Sequence, residues 1–351
     1  MLNFFKSLSI KYNVPLENVI SIVLNRYGII TDDTQDNRLR FELFILDSDK
    51  PIFYAVCVNT FKDSPFILKG NKLYLDNQVI AKVENIEKDT CTSTYFRNNK
   101  KAITFNSNSR SKCVGCKFCG TYSLSEDDYM DFSSLENIKN YFNKLLNDNN
   151  IKSMNSIEDI TLCTGCFSNE DKLIEHLLMV NRAFKEMDFN GRLNYIGFQL
   201  RDYNKIYELK KEIKDFGMYL TVEKFLDREQ FMKSEKANIS MEEIKNLLNY
   251  TSSIGITSTF LYILGLEDLE TVKKYMNYFK DSVNKYPIIQ VFQNYTPYQE
   301  NYRCKEAKDI EYYFKARSII EETFKNTNLS PKSWENFRGL HLDNKTKRLV
   351  K

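Results

Sequence analysis

The chain has 351 residues, with 50 Lys and Arg against 47 Asp and Glu, 42% hydrophobic residues and a net charge of +3. This is a globular composition with material for roughly two domains, and it lacks the basic stripe of a dedicated nucleic-acid binder. No apolar run approaches the roughly 18 residues of a membrane span, and Met1 to Asn13, broken by Lys6 and Lys11, has no small-residue cleavage site, so no signal peptide is read there.

Two helical stretches come first, Leu2–Tyr12 and Leu16–Tyr27. Short strand-like runs follow at Leu39–Leu46, Ile52–Val58, Phe66–Lys69, Lys72–Leu75 and Val79–Val83. Turn signals such as Asp47-Ser48-Asp49 and Gly70-Asn71 divide them. Residues 1–98 therefore read as a small α+β accessory domain. From residue 101 the rhythm becomes strand, loop, helix. Apolar strands are expected at Ala102–Phe105, Ile160–Cys163, Leu193–Leu200, Met218–Val222, Thr259–Leu264 and Ile288–Phe292. Amphipathic helices are expected at Leu135–Leu146, Asp171–Lys185, Tyr203–Asp215, Met241–Ser253, Leu269–Asn284 and Ala307–Phe324. Alternation of this kind implies a parallel sheet with right-handed crossovers. The expected fold is α/β: a partial (β/α)6 barrel over 99–300, preceded by the accessory domain and followed by a C-terminal helix and tail over 301–351. Trp334, Phe337 and His341 in that tail are expected to plug the open side of the barrel or cover its base. Function in such sheets sits on the loops after the C-terminal strand ends.

The first of those loops reads Ser111-Lys112-Cys113-Val114-Gly115-Cys116-Lys117-Phe118-Cys119-Gly120. The chain holds eight cysteines; without a secretory signal they point to a reducing cytoplasm, where clustered Cys more often binds metal than forms disulfides. Three thiolates this close suit an iron–sulfur cluster. A ferredoxin run needs a fourth Cys after three intervening residues, followed by Pro; here those positions are Ser123 and Leu124. Three ligands leave one iron open to a small chelating molecule.

With this loop after the first strand, the chain resembles the radical S-adenosylmethionine (SAM) superfamily. The resemblance implies a [4Fe–4S] cluster held by Cys113, Cys116 and Cys119, with the amino and carboxylate groups of SAM on the fourth iron. It implies one-electron cleavage of SAM and hydrogen abstraction by a 5'-deoxyadenosyl radical, in an oxygen-sensitive cytoplasmic enzyme fed by a reductant such as flavodoxin or ferredoxin. The expected substrate is a small molecule or a peptide, and from charge and hydropathy no nucleic-acid partner and no membrane are expected. Phe118 matches the aromatic residue that packs near the adenine. The sequence departs from the usual pattern in one respect: two residues, not three, separate Cys113 from Cys116. The cations Arg97, Lys100, Lys101, Arg110, Lys112 and Lys117, with no acid among residues 97–117, suit an anionic cluster and cofactor or a solvated face.

The later strand ends extend the resemblance over roughly residues 101–300. Thr164-Gly165 stands where the family has a glycine turn beside the SAM amino group, although the double glycine followed by Glu is absent. Gln199 and Arg201 share one parity and are candidate cofactor contacts. Glu223 is the candidate acceptor for the ribose hydroxyls, against a salt bridge to a nearby Lys. Gly265 leaves room on the adenine side, and Leu261 replaces a glycine some members carry. Tyr262, Gln293 and Tyr295 are candidate substrate contacts. Cys163 and Cys166 form a second C-x-x-C with three readings: ligands of an auxiliary cluster, a hydrogen-atom donor or redox thiol, for which Cys166 is the catalytic candidate, or small buried fillers. With only His176 and His341, a His-dependent zinc hydrolase or Ser-His-Asp enzyme has little support. The alternatives from other classes are a structural zinc module, built on Cys113 and Cys116 or Cys119 with Cys163 and Cys166, and a plain Fe–S electron carrier without SAM chemistry.

Overall fold

In the first hundred residues, period-two alternation puts Leu39, Phe41, Leu43 and Ile45 on one buried face of β1 (Arg38–Ile45). The computed structural model describes residues 1–45, 51–90, 94–108, 113, 115–120, 131–332, 335 and 340–341. β1 sits inside an antiparallel sheet with β2 (Ile52–Cys57), β3 (Phe66–Lys69), β4 (Lys72–Leu75) and β5 (Gln78–Lys88), in the order β2-β1-β5-β4-β3. Two helices accompany it, α1 (Leu2–Tyr12) and α2 (Leu16–Tyr27). α2 touches both β2 and the last barrel strand. Its polar residues Asn18, Ser21, Asn25 and Arg26 are consequently buried along with Val19, Ile20, Ile22, Val23 and Leu24. A helix covered on every side has left the surface, whatever its amphipathic pattern.

The second sheet has seven strands. β7 (Ala102–Phe105), β8 (Asp159–Cys163), β9 (Arg192–Gly197), β10 (Phe216–Glu223), β11 (Thr257–Leu264) and β12 (Ile288–Val291) lie parallel in chain order. These six match the six expected strands, and together they make a partial (β/α) barrel whose loops open at one rim. β6 (Tyr95–Arg97), which the sequence does not signal, pairs antiparallel with β7 and extends the sheet.

The crossover helices are α3 (Leu135–Asp148), α4 (Glu170–Glu186), α5 (Tyr203–Glu212), α8 (Met241–Ser253) and α9 (Leu269–Phe279), and α10 (Glu311–Phe324) follows the last strand. Two short turns of helix, α6 (Arg228–Phe231) and α7 (Ser234–Ala237), interrupt the chain after β10; four residues are too few to carry a periodic signal. Helix starts are set by side chains: Ser134, Asn169, Asp202 and Asp268 accept from the first turn, and Ser240 with Glu243 forms a capping box. Each such cap is worth about 1 kcal/mol.

The two sheets share one apolar core. Tyr12 stacks on Phe314 with ring centres 5.1 Å apart, and Arg26 pairs with Glu300 at 2.5 Å. The most buried tie is Arg38. Its guanidinium donates to Asp89 at 2.5 Å, to the Gln293 side-chain Oε1 at 2.6 Å and to the Ala55 backbone carbonyl at 3.3 Å. In the tail, His341 is fully buried and meets Tyr286 edge-on at 5.6 Å, just before β12. Trp334, Phe337, Arg110, Lys112, Ser123, Leu124 and the turn at 47–49 lie outside the described residues.

Candidate functional site

A parallel strand delivers every second side chain to the concave face of a half-barrel. Here Tyr195 of β9, Tyr219 and Thr221 of β10, Leu261 and Ile263 of β11, and Ile288 and Gln290 of β12 line a cavity of about 200 Å³. The rim loops complete it. Cys113, Cys116, Phe118 and Cys119 come from the loop after β7, and Thr164, Gly165 and Cys166 from the loop after β8; Cys163, at the end of β8, lines it as well. Gln199, Glu223, Gln293 and Tyr295 line it too.

The cysteine loop is held from two sides. Its Lys117 N–H donates to the Phe231 carbonyl at 2.8 Å, and its Lys117 carbonyl accepts from the Gln299 amide at 2.9 Å. The Cys119 N–H donates to the Cys116 carbonyl at 3.0 Å, closing a tight turn. Gly115 has φ +111°, and a Cβ there would stand 2.8 Å from the Lys233 Cβ; only glycine satisfies both demands. Phe118 anchors the loop in an apolar cluster with Tyr219, Met232, Leu261, Ile263 and Phe292, against which Cys116 and Cys119 pack.

Charge comes from α7 and its approach, which sequence reading missed because Lys233 and Lys236 belong to no motif. The Lys233 ammonium donates to Cys166 Sγ, lies 3.7 Å from Cys113 Sγ and sits 4.9 Å from the centre of the Phe198 ring. Cys113 and Cys166 themselves touch, Sγ to Sγ, at 3.5 Å. The hydrogen bond from Cys113 pulls the Cys166 thiol down to about 6, with the Lys233 ammonium adding to it against burial. Burial, then the Glu223 carboxylate, pushes the Cys116 thiol up to about 11.

Lys236 pairs with Glu223, an ion pair in which both side chains are largely buried. Glu223 has φ +63°, and the β10–β11 register shifts between Thr221 and Glu223. A bulge at a strand end re-aims the side chain that follows it, and a non-glycine residue at positive φ is held there by its surroundings. The loop after β10 is fixed by Glu267, which accepts from the N–H groups of Phe225 at 3.1 Å and Leu226 at 2.7 Å. In the sequence Glu267 is only one of the two acids, Glu267-Asp268, that precede the helix at Leu269.

Three expected contacts do not reach the cavity. Tyr262 alternates with Leu261 and Ile263, so it faces the helices; its hydroxyl donates to Glu267 at 3.0 Å and its ring stacks on Phe225 at 4.5 Å. Gly265, at φ +116°, lies against Tyr313, Arg303 and Phe292, and its glycine serves that packing. Arg201 lies beyond the end of β9 with an exposed side chain, while its N–H donates to Glu170 at 2.6 Å. Two others line the cavity with their amides already engaged. Gln199 exchanges hydrogen bonds of 2.9 Å with both the N–H and the carbonyl of Phe167. Gln293 accepts from Arg38 and donates to Asn25 at 2.7 Å. Tyr295 carries the Arg38 guanidinium 5.2 Å from its ring centre.

The donor set is soft sulfur, which selects iron–sulfur clusters or zinc over hard cations. Among the described residues, no three His, Cys, Asp or Glu side chains gather closely enough to hold a single metal ion. The sulfurs instead line a wall, partly exposed and surrounded by aromatic and aliphatic groups with two ammonium groups beside them. That arrangement fits a polynuclear anionic cluster.

No protein-family model matches the chain, and no curated protein does. Among solved structures it is similar to methylornithine synthase (PylB), at 14% identity and TM-score 0.43 over 62% of this chain and 61% of that one. It is similar to Streptococcus suis SuiB bound to S-adenosylmethionine, at 12% and 0.42 over 62% and 47%. It is also similar to TsrM, a radical S-adenosylmethionine methyltransferase from Kitasatospora setae with cobalamin and a [4Fe–4S] cluster bound, at 14% and 0.37 over 56% and 38%. The matches span less than two thirds of those proteins' lengths, and at these values no activity follows from the likeness. Among the described residues, no helix is long and apolar enough to cross a membrane.

Proposed function

We propose that the protein is a radical SAM enzyme, with Cys113, Cys116 and Cys119 holding a [4Fe–4S] cluster at the barrel rim. The observation that carries this reading is the convergence of a C-x-x-C-x-x-C loop, a glycine turn, a bulged acid and two ammonium groups on one cavity at the C-terminal ends of six parallel strands. When bound, the cluster held by Cys113, Cys116 and Cys119, together with SAM, would supply one-electron radical chemistry at this cavity.

The chain's own residues do the rest. Glu223 would accept hydrogen bonds from the ribose hydroxyls, and its ion pair with Lys236 holds it in place. The Phe118 ring packs beside the adenine, and the Thr164-Gly165 turn lets the backbone approach the cofactor's amino group. Lys233 balances thiolate and carboxylate charge. Leu261, Ile263, Ile288 and Phe292 form a dry wall that keeps water from the reacting atoms. Gln293 and Tyr295, braced by Arg38, face the substrate side. The N-terminal sheet thereby shapes the mouth through one buried guanidinium.

Anaerobic reconstitution with iron, sulfide and SAM tests this reading. Four irons and four sulfides per chain, a visible band that bleaches with dithionite, and release of 5'-deoxyadenosine are expected. Zinc in place of iron, or a cluster that never cleaves SAM, would replace it with the structural or electron-carrier reading. Cys116→Ala is expected to lose the intact cluster and all SAM cleavage.

A further inference from the structure

The contact between Cys113 and Cys166 bears on how many sulfurs serve the cluster, and it rests on the reading just given. Metal–thiolate bonds of roughly 2.3 Å put two sulfurs on one tetrahedral metal roughly 3.8 Å apart. Sulfurs on two different corners of a cubane are separated by an iron–iron edge as well, and cannot touch. The Cys113 and Cys166 sulfurs are 3.5 Å apart, so the same corner is within reach of both. Each iron of a cubane already has three sulfides and takes one further ligand.

We infer that Cys166 is an alternative protein ligand for the corner assigned to Cys113, so that either sulfur can close the three-thiolate set with Cys116 and Cys119. Three features support the exchange. The two sulfurs arrive on separate loops, after β7 and after β8, so each reaches the corner from its own segment of chain. Lys233 contacts both sulfurs and stabilises whichever thiolate is left unbound. Both cysteines are partly exposed on the cavity. The short spacing between Cys113 and Cys116 then has a structural counterpart in a second sulfur, 53 residues further on, that stands beside the first.

The test is cluster content, not turnover. The full chain and the variants Cys113→Ala, Cys166→Ala and the double variant are reconstituted anaerobically, with iron, sulfide and the visible spectrum measured and folding checked by circular dichroism. Each single variant is expected to keep about four irons, and the double variant to lose the four-iron cluster. Loss of the cluster in Cys113→Ala alone, or its retention in the double variant, overturns the inference. If Cys113→Ala does not fold, Cys113→Ser against Cys113→Ser/Cys166→Ser gives the same comparison. Wild-type protein with a full cluster but no SAM cleavage defeats the functional reading and leaves this one standing; a wild type that takes up no iron and sulfide defeats both.

Discussion

The loops after β7, β8 and β10 turn sulfur and charge toward the cavity, whereas β11 and the loop after it turn their polar groups toward packing. On the first side stand Cys113, Cys116, Cys119, Cys166 and Glu223. On the second, Leu261, Ile263, Ile288 and Phe292 give the cavity an apolar wall, while Tyr262, Gly265 and Glu267 fasten the helices and the neighbouring loop. Gln293 and Tyr295, after β12, face the cavity but are already committed to Arg38. The contrast is the one that the proposed radical chemistry would need, with ligands and charges on the cofactor side and an apolar wall opposite.

The comparison can be broken most forcefully at Tyr262. If it belongs to packing, Tyr262→Ala costs about 3–5 kcal/mol of stability, the usual range for deleting a buried aromatic side chain, read by urea unfolding. The affinity of the folded variant for SAM stays at the wild-type value. A large loss of SAM affinity at unchanged stability would return Tyr262 to the site.

On the sulfur side, one polar group should prove structural. His176 is buried, with Nε2 2.8 Å from Ser107 Oγ, and burial lowers its pKa to about 4. The folded protein thus keeps it neutral where the unfolded chain, with an ordinary value near 6.5, takes up a proton. Its contribution is complete above about pH 6.5 and is lost as pH falls toward 4, by about 1.4 kcal/mol per unit and about 3 kcal/mol in all. His341, also lowered by burial, adds a slope of the same sign. His176→Gln should flatten the decline of Tm between pH 6.5 and 4; an unaltered slope would show that His176 does not carry it.

A smaller effect separates the glycine after β11 from a cofactor contact. Gly265→Ala forces a side chain into φ +116° with Tyr313 3.1 Å away, a strain of about 1–3 kcal/mol. SAM binding of the folded variant should not change, as equilibrium dialysis would reveal. Glu223→Gln sharpens the other side of the comparison. Losing a charge-assisted bond to the ribose should weaken SAM binding about tenfold, or about 1.4 kcal/mol, with the iron content of the cluster intact. Unchanged SAM affinity would reduce Glu223 to a partner of Lys236.

The order of strands and helices was legible in the sequence because buried parallel strands are apolar runs and crossover helices carry a 3.6-residue stripe. The C-x-x-C-x-x-C loop was legible because its short spacing confines three sulfurs to one loop, whatever the fold around it. What strand periodicity cannot supply is which of two alternating faces looks inward; that choice removed Tyr262 from the cavity and put Leu261 and Ile263 in it. Nor could it supply partners distant in the chain. Lys233 meets Cys113 across 120 residues, and Arg38 meets Gln293 across 255. Local sequence set the elements through backbone and side-chain periodicity. Only the closing of the sheet brought the sulfurs, the two ammonium groups and the bulged carboxylate onto one wall, because those contacts exist only once β7 through β12 are in register.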